Sequence, residues 1–493
     1  MENTQSSYRQ IFKATSLFGG VQAFNILISI IRSKVIAVLL GPAGMGVAGL
    51  FTSTLLLMSN ITGMGLASSA VRDVAAAHQR NDITAISRTV KVLNRLVWIT
   101  GLLGGIIVCL TAPYLSKITF GDTSYTVAFY WLSISLVFSQ LTAGRNVLLQ
   151  GTRQLNRLAK ANVLGSLLGL LITLPLYYWY GINGVVPALI LTALCTLLIA
   201  LYFSRQVRTA AVTLTRSETW NEGKGMLKMG FMLSLSSLMA LAEAYIVRIF
   251  ISNTGSVEDV GLYNAGFAII GTYVGMIFTA MSTDYYPRLA GVANNRVQRN
   301  QLINQQAEVA IFILAPILCT FIVFIKWGIV LLYSGQFVSI DAMIHWAALG
   351  MYFKAASWSV AFIFLAKGDS KLFFWNELGG VASLLLLNIL GYKFRGLSGL
   401  GMSFMVGYIL YFFQVFLIAK FKYGFAFWKA FYKIFLFQFL LGVTCFLAVT
   451  YLPGLLKYVV GIAVLLLSLF YSFKTMNNRI RLWPVLKSKL WRR

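Results

Sequence analysis

Residues 96–115 read LVWITGLLGGIIVCLTAPYL, a run without a single charge. As a helix, such a run of about 20 residues is ~30 Å long, the thickness of a bilayer's hydrocarbon core. It is continuously apolar rather than alternating, which points to a helix and not to a strand of a closed barrel. Runs of the same kind recur near 14–40, 46–68, 125–149, 161–179, 183–204, 229–252, 260–283, 306–332, 340–366, 372–391, 398–419, 431–451 and 455–473. No loop between them is large enough for a soluble domain. The expectation is an all-α polytopic membrane protein of about fourteen transmembrane helices. Met1 to Ser16 lacks a short apolar core followed by a small-residue cleavage site, so no removable signal peptide is expected.

Composition agrees: 58% of the 493 residues are hydrophobic and 11% are charged. The formal charge of +27 raises nucleic acid as a partner, but its distribution argues otherwise. With the N-terminus in the cytoplasm, 31 of the 41 Lys and Arg fall in inner loops and tails. Only Lys117, Lys393, Arg395 and Lys457 fall outside, and six lie within spans. That is the positive-inside pattern, with both termini cytoplasmic. Arg88, Lys91 and Arg95 form a stripe before the third span, suited to anionic headgroups. Tyr177, Tyr178, Trp179 and Tyr180 read as an interfacial aromatic belt at the outer end of the fifth.

An internal repeat is visible at a spacing near 215 residues. Gly46 corresponds to Gly261, Arg72 to Arg288, Gly151 to Gly368, and Gly181-x-x-Gly184 to Gly396-x-x-Gly399. Each half carries six spans, an even number, so the repeat is parallel about an axis along the membrane normal. The expected organisation is a first lobe at 1–204 and a cytoplasmic linker at 205–228. A second lobe follows at 229–420, then two further helices with a basic tail at 421–493. Two such lobes leave a cleft between them, the arrangement of alternating-access transporters.

No ATP-binding loop, histidine–glutamate metal motif or nucleophile elbow occurs, so neither an enzyme nor an ATP-driven pump is expected. Cys109, Cys195, Cys319 and Cys445 lie singly in apolar runs and read as lipid-facing or core thiols, and two histidines are too few for a histidine-rich metal site. Neither a metal nor a cofactor is expected. The chemistry rests on charges within spans, each costing at least about 2.5–3.5 kcal/mol unless it faces a cavity or a partner. Arg32 lies ten residues before Pro42, ~15 Å below the outer turn. Its repeat mate is Arg248, so the same cation recurs at equivalent depth in the first helix of each lobe. Snorkelling or structural pairing is the plainer account, and symmetry favours a substrate-binding one. Lys354, ~21 Å from the inner turn, is the next cavity candidate. Arg145, six residues before Gly151, either lines the cavity or snorkels inward. Lys34 points away from Arg32 on the same helix, and Lys326 reads as an interface anchor. Glu243 is a candidate for balancing Arg248 or holding a coupling cation. Asp341 and His345 share a helix face, as an interfacial polar pair or a proton-responsive one.

The stretch RSKVIAVLLGPAGMGVAGL at residues 32–50, with the Gly-x-x-Gly turn, the six-plus-six repeat and the two trailing spans, resembles the Wzx-type polysaccharide flippases. These belong to the MATE-like MOP exporter superfamily, and the resemblance covers essentially the whole chain. It is strongest toward O-antigen and enterobacterial-common-antigen translocases. The resemblance implies transport of undecaprenyl-diphosphate-linked oligosaccharide from the inner to the outer leaflet of the bacterial inner membrane. It further implies a cationic cavity for the diphosphate, here at Arg32 and Arg248, and trailing helices that hold polyprenyl tail. H+ or Na+ as coupling ion, membrane lipids and the polysaccharide polymerase machinery are the partners it suggests. The alternatives are a cation-coupled drug exporter of the same fold, which calls for acids in the cavity, and a non-transporting scaffold, which needs no matched arginines.

Overall fold

The computed structural model describes residues 24–480, except Asn81 and Arg208. The stretch before residue 24 and the basic tail beyond 480, on which the signal-peptide and terminus expectations bear, lie outside the described residues. The regular elements are helical: α1 (24–39), α2 (Gly41–Gly63), α3 (Leu66–Gln79), α4 (Ile83–Phe120), α5 (Thr126–Gly151), α6 (Leu155–Tyr180), α7 (Val185–Arg205) and α8 (Arg216–Thr254). They continue as α9 (Val257–Ala268), α10 (Gly275–Gly291), α11 (Arg296–Leu332), α12 (Asp341–Ala366), α13 (Ser370–Tyr423), α14 (Lys429–Tyr451) and α15 (Leu456–Ile480).

Among the described residues, eleven continuous helical stretches are long and apolar enough to cross a membrane. Two of these, Leu155–Arg205 and Ser370–Tyr423, contain 51 and 54 residues. Helix of that length, roughly 80 Å, is more than twice a bilayer core, so each must double back. The bends fall at repeat-related glycines with the same backbone geometry: Gly181 (φ 55°, ψ −134°) and Gly396 (φ 55°, ψ −138°). A side chain there would be strained, which is why each of these bends requires glycine.

The turns expected on the inner side match as well, but in a different register from the one expected. The counterpart of Gly368 (φ 69°) is Arg153 (φ 55°), 215 residues earlier, rather than Gly151. In the first turn the N–H groups of Arg153 and Gln154 donate to the carbonyls of Gln150 and Leu149. In the second, Gly368 and Asp369 donate to Leu365 and Phe364. A match by glycine identity misses this correspondence, because the first half places an arginine in the left-handed conformation.

Helix boundaries shift for local reasons. α2 starts at Gly41, ahead of the expected 46, because Pro42 occupies its first turn, where a fixed φ suits a helix and a missing N–H costs nothing. α8 starts within the stretch expected as linker, where Thr215 and Glu218 form a reciprocal capping box. The stripe expected to face headgroups instead binds this stretch. Arg88 pairs with Glu218 at 3.3 Å and Glu222 at 2.6 Å, and Lys91 donates to the Val212 carbonyl. Arg95 reaches Thr219 Oγ1 at 2.6 Å. Carboxylates engage Arg88, while a backbone carbonyl and a hydroxyl engage Lys91 and Arg95.

The chain forms two compact units, Met1–Gly261 and Leu262–Arg493. In the first, α3, α4, α5 and α8 close around Ala70, Val74, Leu93 and Val97. In the second, α11 is the axis: Ile311, Leu314, Leu318 and Ile322 are fully buried among α12, α14 and α15. Polar seams join the trailing helices. The Gln438 amide donates to Ser472 Oγ at 2.9 Å, and the Ser468 hydroxyl donates to Gln438 Oε1 at 2.7 Å, all buried. Of the cysteines, Cys319 and Cys445 are buried and Cys109 faces outward.

Candidate functional site

In the first unit Arg32 projects from α1 into two adjoining cavities of about 330 and 380 Å³. Their walls come from α1, α2, α5, α6 and α7. Ser139, Thr192 and Thr196 border both cavities, and Tyr177 and Thr173 close one side. Asn25, Asn146 and Asn162 line the other. Among the residues lining either cavity there is no carboxylate. The Arg32 Nε and the Asn146 Oδ1 are buried without a hydrogen-bond partner among the described residues. A guanidinium in this state carries the cost of desolvation without a counter-charge. It offers a planar fork of donors suited to the oxygens of a phosphate, ringed by hydroxyls and amides suited to neutral polar groups.

Tyr177 departs from the belt to which its sequence assigned it. Tyr178, Trp179 and Tyr180 are more than 60% exposed, as belt residues should be, whereas Tyr177 is 4% exposed and faces Arg32's cavity. Four consecutive aromatics at the end of a helix carry no mark of which one turns inward, so only the fold identifies it.

Arg248, on α8, is half-buried, and its Nη1 donates to the Ala244 carbonyl at 2.7 Å. It is not among the residues lining Arg32's cavities. Glu243, one turn away on α8, is also half-buried. Arg145 lines a different cavity of about 540 Å³, together with Lys91 and Arg205.

In the second unit Lys354 lines a cavity of about 360 Å³ between α12 and α13. Its ammonium lies 5.0 Å from the ring centre of Tyr408 and 5.6 Å from that of Phe404, within cation–π range. Glu377 lines the same cavity and accepts hydrogen bonds from Tyr411 Oη at 2.5 Å and Asn376 Nδ2 at 3.4 Å. Near the other end of α12, the Asp341 carboxylate pairs with Lys326 Nζ at 3.1 Å. His345 Nε2 meets the Ile322 carbonyl at 3.0 Å. Asp341 thus has an ammonium partner, and Lys326 is half of an ion pair. Among the described residues no three His, Cys, Asp or Glu side chains gather as a metal site.

Comparison with known proteins matches residues 35–342 to the family described as "Polysaccharide biosynthesis protein". The chain is 23% identical over 387 residues to the "Lipid III flippase" of Escherichia coli (strain K12), covering 77% of this chain and 91% of that one. Among solved structures it resembles "Lipid II flippase MurJ, inward closed conformation", with a TM-score of 0.70 at 14% identity, covering 94% of this chain and 99% of the other. It also resembles an inward-facing multidrug resistance MATE family transporter of the MOP superfamily, with a TM-score of 0.66 at 15% identity, covering 84% and 96%. At such identities these likenesses establish a shared fold: an all-α, multi-pass membrane architecture.

Proposed function

The chain belongs to the polysaccharide biosynthesis protein family, and from that premise we propose that it is a lipid-linked oligosaccharide flippase. It moves an undecaprenyl-diphosphate-linked oligosaccharide from the inner to the outer leaflet of the bacterial inner membrane. It works as a secondary transporter, through two six-helix lobes in parallel repeat followed by α14 and α15. The polyprenyl tail stays in lipid while the sugar and diphosphate cross through a polar path, since neither part is stable in the other's solvent.

The observation that carries this reading is Arg32. A cation held at membrane depth in carboxylate-free cavities fits an anionic cargo and disfavours a cationic drug. In this reading Arg32 and Arg248 bind the diphosphate, with Lys354 and Arg145 as further cationic contacts along the path. Glu243, Asp341 and His345 are the candidates for coupling to H+ or Na+. Of these, Asp341 must give up Lys326 to take a cation. The polysaccharide polymerase machinery is the natural recipient of the product.

The test is complementation of a flippase-deleted strain, with membrane levels followed by immunoblot. Arg32→Ala and Arg248→Ala should each remove nearly all surface polysaccharide. Arg32→Lys keeps the charge without the fork and should retain part of the activity. Lys34→Ala should leave export close to normal. Normal export by Arg32→Ala or Arg248→Ala would rule out the two-arginine site.

A further inference from the structure

The cavity that Arg145 lines is separate from those of Arg32, and its construction shows a second use of charge. It occupies about 540 Å³ where the last turns of α5 and α7 meet the first turns of α4, bordered by Val207 and the segment 209–213. Lys91, Arg145 and Arg205 converge on it, and no carboxylate is among its lining residues. Arg145 and Arg205 make no ion pair or side-chain hydrogen bond among the described residues.

Three cations collected in one pocket repel one another, and the usual relief is a nearby carboxylate. The acids of this region are engaged elsewhere, since Glu218 and Glu222 both pair with Arg88. Of the three, Lys91 and Arg145 are half-buried and Arg205 is exposed. The bordering segment is tied down by backbone: Ala210 N–H donates to Ser87 Oγ at 2.7 Å, and the Val212 carbonyl accepts from Lys91. The pocket is therefore a positive, partly open cleft, and no carboxylate lines it.

We infer that this pocket is a binding site for a phosphate-bearing anion, separate from Arg32's, with the segment 209–213 along its rim. Two guanidinium forks and an ammonium match the oxygens of a diphosphate or of a phosphodiester headgroup. Its use as a loading site for the cargo's diphosphate rests on the flippase reading, whereas its affinity for phosphate does not. By the positive-inside pattern it lies on the cytoplasmic face, where the lipid-linked substrate is presented.

Hydrogen exchange of the amides at 209–213 tests it, with inorganic pyrophosphate as probe and the full chain in nanodiscs. In phosphatidylcholine discs, pyrophosphate should slow exchange of this segment roughly tenfold. Arg205→Gln, at an exposed helix end, and Arg145→Gln should each abolish that protection. Arg32→Gln should preserve it even where export is lost. Discs containing phosphatidylglycerol separate the two sources. Protection by the lipid alone, with no increment from pyrophosphate, assigns the pocket to a headgroup. An increment that persists assigns it to the diphosphate. Absence of protection by either probe, or protection that survives both substitutions, overturns the site. Loss of export in Arg32→Ala alongside that result would leave the flippase reading standing.

Discussion

The guanidinium of Arg32 rests against Gly169: its Nη2 lies 2.6 Å from where a β-carbon at that glycine would project. The same β-carbon would lie 2.8 Å from Thr192 Cγ2. α6 thus provides a seat without a side chain for the cation on α1. Gly169→Ala should push the guanidinium, the end of a flexible chain, out of position, with a smaller adjustment at Thr192. Export should fall about tenfold, ~1.4 kcal/mol of lost anion stabilisation. Thermal unfolding should change little. Full export by a Gly169→Ala protein at normal membrane levels would show that Arg32's placement is unimportant.

Arg153 offers a stability test independent of transport. A non-glycine residue in the left-handed region costs ~1 kcal/mol or more, a strain that its counterpart Gly368 avoids. Arg153→Gly should therefore raise stability by about 1 kcal/mol, and Gly368→Ala should lower it by a similar amount. Unfolding midpoints in detergent would register both. A destabilised Arg153→Gly protein would mean that the exposed arginine makes up for its own strain.

Asp369 should make the turn after α12 sensitive to acid. A hydrogen bond from Tyr423, then one from Lys422, holds its carboxyl below the usual aspartate range. A carboxyl depressed in the folded state stabilises fully above its unfolded pKa of ~3.9, and that contribution is lost as pH falls through the lower folded value. Tyr423→Phe should lower the melting temperature at neutral pH, and its deficit against the wild type should shrink below about pH 4. A deficit that does not vary with pH would indicate lost packing rather than a lost charge contact.

Sidedness follows from the charge pattern and is open to direct labelling. In a chain freed of its four cysteines, Ala43→Cys at the start of α2 should react with an impermeant reagent from outside. Ser370→Cys, beside the inner turn, should react only after permeabilisation. The reverse pattern would invert the orientation.

The helices were legible because lipid imposes long, uncharged runs, and Arg32 stood out because a charge at that depth is rare. The bends were legible in Gly181 and Gly396, where the backbone admits little else. The turn after α5 was not, because Arg153 does by strain what Gly368 does freely. Tyr177, Glu377 and the engagement of Arg88 with Glu218 and Glu222 were hidden for a shared reason. Each depends on which face of a helix meets a distant segment, and apolar runs that are hydrophobic all round give no such direction.

The seam between Gln438 and the two serines of α15 has a consequence for how the chain is made. While α14 is the last helix synthesised, Gln438 has an amide with no partner in hydrocarbon, at a cost of several kcal/mol. Ser468 and Ser472 remove that cost only when α15 arrives beside it. The two helices therefore enter the bilayer most favourably as a hairpin.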